Sequence, residues 1–473
     1  MRRAAGLLAG VALAALGGPA LAQDAATEAR IQALEAQLGA LQDQIADLKA
    51  SSAANEQAIR DEQHATTVSI DKGKPTIASG DGQFSATFHG VMQLDTAQYF
   101  QDKSLPASVT IGRDLNSGTN FRRGRFGVDG KLFGNWDYSL LLDFGGSGTD
   151  GSTTLHELWV QYSGVKPFKF RVGAFAPNLG LEDAASTNGS LFPERPSAAE
   201  VARSLAGADK RIGAQVLANG DHWLVAAAVT GAKAADPATL DEQLGYTFRV
   251  AGTPLSGYDW RIHLGANASL VATPAQATSG LYPITLADRP ELRVDGTQLI
   301  STGGIEADGA RHWGLEAAAQ KKNLLIQGEY FDYVIRRRDP APGVTDPHFN
   351  GWYVEGGWVI TGEARKYNTA TAAFDAPAID HPFNLDEHGW GAWELVARYS
   401  VLDLNDNVLS AISADRVRGG EQTIWSGGLN WFPNSAVKFS LHYLDVSIDR
   451  LTSAGLQAGQ DYQAVNLRSQ FAF

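Results

Sequence analysis

From about Gln83 to Phe473, apolar and polar side chains alternate along the chain with a period of two. Such alternation gives each extended segment one apolar and one polar face, and it excludes a helical fold over this stretch. In Phe84–Tyr99 the even positions carry Phe84, Ala86, Phe88, Met92 and Leu94, and the odd ones Ser85, Thr87, His89, Gln93 and Asp95. Trp136, Tyr138, Leu140, Leu142 and Phe144 stand against Asp137, Ser139 and Asp143. Trp393, Leu395, Ala397, Tyr399 and Val401 stand against Glu394, Arg398 and Ser400. Roughly sixteen segments of this kind follow one another, with tight turns such as Asn219-Gly220 alternating with long polar loops. A soluble sandwich also alternates, but the turn asymmetry and the aromatics near segment ends, among them Trp136, Tyr162, Trp223, Tyr258 and Trp260, match the interfacial girdles of a membrane barrel. The predicted fold is all-β: a 16-stranded antiparallel transmembrane β-barrel with lipid outside and water in the middle. No segment after the N-terminus offers ~18 consecutive apolar residues for a helical span.

The N-terminus has a different grammar. Arg2 and Arg3, the apolar run Leu7–Leu16 and Ala20-Leu21-Ala22 before Gln23 predict a secretory signal over residues 1–22. Ile31, Leu34, Leu38, Leu41, Ile45 and Leu48 then recur three and four residues apart, the a/d pattern of a short coiled-coil helix. A helix of that length does not stay folded alone, so the seam implies a partner helix; an amphipathic helix lying on its own domain stays open. Ser51–Asn55 and the polar run to Thr67 read as a tether, which gives residues 23–66 to a periplasmic coiled-coil segment and 67–473 to the barrel.

Composition narrows the chemistry. There is no cysteine, so disulfides, thiolate metal sites and cysteine nucleophiles are excluded. Without Arg2 and Arg3 the chain keeps 37 basic against 52 acidic residues, a formal charge of −15, which argues against a nucleic-acid partner. Gly146–Gly151 fits G-x-G-x-x-G, but Thr154–Tyr162 behind it reads as a strand where a dinucleotide site needs a helix. No Ser/His or metal-ligand constellation emerges, so no enzyme activity and no cofactor are expected.

Strand phase assigns faces. If Phe126, Val128 and Leu132 meet lipid, Arg123, Arg125, Asp129 and Lys131 point into the lumen. The same reasoning turns Lys169 and Arg171 inward, and likewise Arg249. A charge facing lipid at mid-depth costs ~2–4 kcal/mol, so the phase is informative. Two readings of these cations stand side by side: an anion path, or lumen charges neutralised by Asp and Glu.

Several segments resemble the phosphate-selective porins O and P, and in family order. They are Phe121-Arg122-Arg123 with Gly124–Phe133, Gly180-Leu181-Glu182, Thr361-Gly362-Glu363, Gly391–Leu395 with Arg398-Tyr399, and Asn430-Trp431 through Lys438. The resemblance implies a trimeric outer-membrane barrel with an in-pore constriction loop, here about Pro177–Lys210, and an arginine-lined route for small anions such as phosphate. It implies that Arg122 and Arg123 sit near the narrow part, Arg195 on the in-pore loop, and Lys438 in the lower pore. Arg289 and Arg293 look like part of an arginine ladder, and Ser186 and Thr187 resemble a hydroxyl pair at the constriction. Phe473 at the end of an amphipathic last strand resembles the signal read by the barrel-assembly machinery. Three lysines of the family are absent: Asp183, Asn368 and Ala378 stand where they are expected. A general or sugar-admitting porin, and a structural tether with a plugged barrel, are the alternatives to an anion channel.

Overall fold

The structure, a computed structural model, describes residues 20–71, 73–101, 114–145, 154–207, 210–234, 236 and 239–473. The apolar run of the expected signal and the Gly146–Gly151 loop lie outside them. The chain forms two compact units, residues 1–65 and 66–473. In the first, a single helix α1 (Ala20–His64) runs without a break through the stretch expected to be a tether. Ser51–Asn55 holds neither Gly nor Pro, and helical neighbours such as Glu56–Arg60 (3.9 Å) and Gln57–Asp61 (3.0 Å) carry the helix onward.

The second unit is a closed barrel of sixteen antiparallel strands. The first half is β1 (Ser85–Gln101), β2 (Gly118–Leu132), β3 (Trp136–Asp143), β4 (Thr154–Tyr162), β5 (Phe168–Phe175), β6 (Arg211–Asn219), β7 (Trp223–Lys233) and β8 (Leu244–Ser256). The second half is β9 (Trp260–Thr273), β10 (Ile305–Lys321), β11 (Leu324–Arg337), β12 (His348–Val359), β13 (Ala392–Asp406), β14 (Val417–Asn434), β15 (Val437–Asp449) and β16 (Asp461–Ala472). Each strand pairs with its neighbours in sequence, and β16 closes on β1 from Tyr462↔Gln101 to Ala472↔Val91. Gly90 and Phe473 exchange both backbone hydrogen bonds at 3.0 Å, so the last residue seals the closing pair. Closure leaves no strand edge for lipid to contact, which is the condition for a sheet to cross a bilayer.

The alternation read from sequence is the partition between wall and lumen. Met92, Phe126, Leu264, Leu395 and Leu441 are exposed on the outer wall, while Gln93, Asp95, Arg123, His263, Glu394 and His442 are buried inside. Two rows of outward aromatics frame the apolar band. Trp393, Trp431 and Phe439 touch in the lower row, and Trp352, Tyr399 and Trp425 in the upper. Beyond the upper row the same face turns polar at Asn350, Asp403 and Thr423.

One bulge alters the phase. Gln93 pairs with Arg123 and Leu94 with Phe121, which leaves Arg122 as an extra residue in β2. Phe121 and Phe126 therefore both face outward, and the consecutive Arg122 and Arg123 both turn into the lumen. Simple alternation sends Arg122 toward lipid, and the bulge is the physical reason it does not go there.

Among the described residues, three connections fold into the barrel. Residues 176–210, between β5 and β6, carry the single turn α2 (Leu181–Ala184) and helix α3 (Ser197–Ala206). Residues 274–304 enter from the same end. Residues 360–391 enter from the opposite end, where the other turns are tight, and form the hairpin Arg365–Asn368/Ala373–Pro377. The apolar face of α3 (Ala198, Val201, Ala202, Leu205) joins Leu286, Leu292 and Ile300 against Phe331, Tyr333, Phe349 and Leu402 of the inner wall. Gly351 makes the fit possible, because a Cβ there would stand 2.8 Å from the Cβ of Ala198. The upper lumen is thus filled by a hydrophobic core on the β10–β16 side, and open space is displaced toward β2–β5.

Candidate functional site

The inserted loops are held to the wall by arginine–carboxylate pairs. Glu194 of the 176–210 loop is the hub: Arg122 of β2 donates to it twice (2.7 and 2.8 Å), Arg468 of β16 once (2.8 Å), and Arg293 lies at 3.3 Å. Arg468 is itself forked onto Asp95 of β1 through two 2.6 Å bonds. Burial alone would raise the Glu194 pKa, but Arg122, Arg123, Arg468 and Arg293 overcome it and hold the carboxyl well below its usual range. Glu291, on residues 274–304, accepts from Arg398 (3.0 Å), Ser400 (2.6 Å) and the Ser197 amide (3.0 Å), which ties two loops to β13. Arg365 of the third segment forks onto Glu394 of β13 at 2.6 Å and donates to the Gly189 carbonyl.

Between the 176–210 loop and strands β2–β4 lies a cavity of about 330 Å³. It brings together Arg122, Arg123, Arg125, Ser186, Thr187, Arg195 and Arg293 of the residues singled out in the sequence. Its cationic side chains are these five arginines with Arg203 and Lys210, seven against the four carboxylates Asp143, Glu157, Asp183 and Glu200, so the lining keeps an excess of positive charge. Arg123 donates to Gln93 (2.6 Å) and Arg125 to Asp143 (2.9 Å). Arg195 lies 3.7 Å from Asp183 and 3.8 Å from Glu200. Asp183 also takes a bond from Arg203, so the acid standing in a lysine's place is itself engaged by two arginines.

A second cavity, of about 500 Å³, opens below the loop among Lys74, Lys366, Lys438, Asn188, Asp375 and Gln470. Ser186 lines both cavities, whereas Thr187 lines the first alone. Lys438 is buried there, with Nζ donating to the Ser190 carbonyl at 2.7 Å.

The remaining residues stand elsewhere. Arg249 is fully buried and bound to Glu316 (2.8 and 2.9 Å), Asn178 and the carbonyls of Thr371 (2.7 Å) and Ala372 (2.9 Å), linking β8 to two inserted loops. Arg398 is held by Glu355, Glu291 and the Glu194 carbonyl, over the Phe192 ring. Arg171 donates to Gln161 and stacks on Trp159 at 3.9 Å. Arg289 donates to the Gly296 carbonyl at 2.9 Å. None of these four lines either cavity. Arg203, Lys210, Arg365 and Arg468 were not singled out from sequence. Arg468 carries a signal that could have found it, the inward phase of the last strand opposite Leu467 and Phe471, and Arg203 lies within the expected in-pore loop. Among the described residues no group of three His, Asp or Glu could hold a metal.

The sequence profile of the phosphate-selective porins O and P matches residues 101–473. The chain belongs to the phosphate-selective porin O and P family. It is 26% identical to Porin O of Pseudomonas aeruginosa over 397 residues, covering 81% of this chain and 87% of that one. It is 27% identical to an uncharacterized protein of Caulobacter vibrioides over 383 residues, 79% of this chain and 70% of the other. OmpT of Vibrio cholerae, an outer-membrane protein, shares the fold with a TM-score of 0.50 at 11% identity, over 83% of this chain and 98% of that one. The porin is therefore an outer-membrane channel, and not an enzyme.

Proposed function

We propose that this porin lets small anions of the phosphate or polyphosphate class diffuse passively across the outer membrane, as a homotrimer. The observation that carries the reading is the 330 Å³ cavity, whose lining holds seven cationic side chains against four carboxylates together with the hydroxyls of Ser186 and Thr187. An anion that sheds part of its water there is solvated by fixed guanidinium and hydroxyl groups instead. A charge pair at ~4 Å contributes about 4 kcal/mol at an effective dielectric near 20, against about 1 kcal/mol in water, so a small local excess decides which sign passes. The overall negative charge matters less, because charges beyond ~8 Å are screened at physiological salt. The family name and the likeness to Porin O support phosphate-like cargo.

The homotrimer is supported by an uneven wall. Strands β3–β6 have only 8 or 9 residues, whereas β9–β15 have 12 to 18, and the low side exposes Leu158, Val160, Phe170, Val172 and Ile212. A short apolar wall suits contact with neighbouring copies. A second reading, a general porin that also admits sugars, is favoured by Asp183 facing the cavity where the family carries a lysine.

Single-channel recording of the purified porin separates them. The anion reading expects a reversal potential toward the chloride value in a KCl gradient and reduced chloride current on adding phosphate. A reversal potential near zero with no phosphate effect supports the general porin. A cation-side reversal overturns the anion reading.

A further inference from the structure

The apolar stripe of α1 lies in the open. Ile31, Leu34, Leu38, Leu41, Ile45 and Leu48 are 50–69% exposed along a 45-residue helix. A helix gains little from propensity alone and stays folded in water through burial of an apolar face. We propose that this stripe is the core of a parallel, in-register coiled coil formed with other copies of this same chain. The heptad places Ile31, Leu38 and Ile45 at a, and Leu34, Leu41 and Leu48 at d. In a parallel pair the g residue of one heptad meets the e residue of the next heptad on the neighbouring helix. Here that contact sets Arg30 against Glu35, Gln37 against Gln42 and Gln44 against Lys49, so one pair attracts and none repels. Copies of one chain in one membrane also present their helices in the same direction, which is the orientation this charge pattern selects. The seam then turns polar at Ser52 and Asn55 before Ile59 restores it, a break that penalises shifted registers. The inference extends the homotrimer reading to the N-terminal unit, though the coil can fail while the barrels still assemble.

The chain has no cysteine, so a single introduced thiol reports on contact between copies. Full-length Leu41→Cys, oxidised in isolated outer membranes, is expected to give a disulfide-linked product of twice the chain mass. Asp43→Cys, at the outward f position, is expected to give about tenfold less, since its thiols lie beyond disulfide reach. Leu34→Cys repeats the test in a second d layer if Leu41→Cys fails to accumulate. Equal linking at residues 41 and 43, no linking at either d position, or a product of foreign mass overturns the proposal. Mobility of the unheated barrel assembly, read on the same membranes, shows whether the coil has failed alone or together with the homotrimer reading.

Discussion

The two sides of the lumen use the same residue pair for opposite ends. On the β8–β13 side, Arg249–Glu316, Arg398–Glu355 and Arg365–Glu394 are sealed among loop carbonyls and apolar side chains. On the β2–β4 side, Arg122, Arg123, Arg125, Arg195 and Arg293 line open volume, in a wall where seven cationic side chains meet four carboxylates. What differs is access. An arginine closed in by its partner is a fastener for an inserted loop, and one with a free flank supplies field to whatever passes. A list of lumen arginines therefore overstates the ladder, because position in the barrel decides which role each one plays.

The largest expected effect comes from breaking a fastener. Arg249→Leu leaves Glu316 buried and strips the Thr371 and Ala372 carbonyls of their donor, a loss of about 3–5 kcal/mol for a buried pair missing one partner. The temperature at which the barrel loses its compact gel mobility should drop, and Glu316→Leu added to it should recover much of the loss. A single variant as heat-resistant as the parent would show that Arg249 fastens nothing.

Next in size is a sign change on the open side. Arg123→Glu lowers the cavity's excess by two charges and should move the anion-to-cation permeability ratio by roughly tenfold, the equivalent of about 1.4 kcal/mol. Arg398→Gln, on the sealed side, should leave the reversal potential where it was while lowering heat resistance. If both variants shift selectivity equally, the distinction between fasteners and path collapses.

Ser186, which lines both cavities, sharpens the same comparison. Ser186→Trp should cut single-channel conductance by roughly half or more, because the indole intrudes on space beside a wall that both cavities share, whereas Ser186→Ala should keep most of it. Unchanged current in the tryptophan variant would place the route elsewhere.

Much of this was legible in the sequence, and the exceptions have identifiable causes. Alternation assigned Gln93, Asp95, Glu394 and Arg398 to the lumen because a strand's two faces meet lipid and water. It could not place Arg122, since one bulge in β2 resets the phase and nothing local announces it. The insertion of residues 274–304 and 360–391 left no periodic trace: Leu292, Ile300 and Phe374 are buried by tertiary contact and not by any repeat. The fasteners were equally hidden, because Arg398 and Glu291 are 107 residues apart in the chain and meet only once a loop has folded inward. Seven of the twelve candidate site residues share one cavity; Lys438 lines the lower one, Arg249 and Arg398 are sealed by inserted loops, and Arg171 and Arg289 line neither cavity, a division set by loop placement that no strand rule encodes.

The smallest effect tests the boundary between the two sides. Asp288, on the 274–304 segment, lies 3.7 Å from Arg293, which itself faces the open cavity. Burial raises its pKa to about 7; Arg293 opposes the rise and Glu200 adds to it. A carboxyl raised in the folded protein binds its proton more tightly there than in the unfolded chain. Its contribution to stability is therefore full below the ordinary carboxylate range and is lost as pH rises through about 7. Over the same window a negative charge appears beside Arg293, and the field that Arg293 sends into the cavity weakens. Anion preference should fall modestly between pH 6 and 8, by less than the change made by Arg123→Glu, and Asp288→Asn should remove the pH dependence while keeping the low-pH selectivity. A selectivity flat across that window in the parent protein would mean that Asp288 belongs electrically to the sealed side, and that Arg293 alone marks where the path begins.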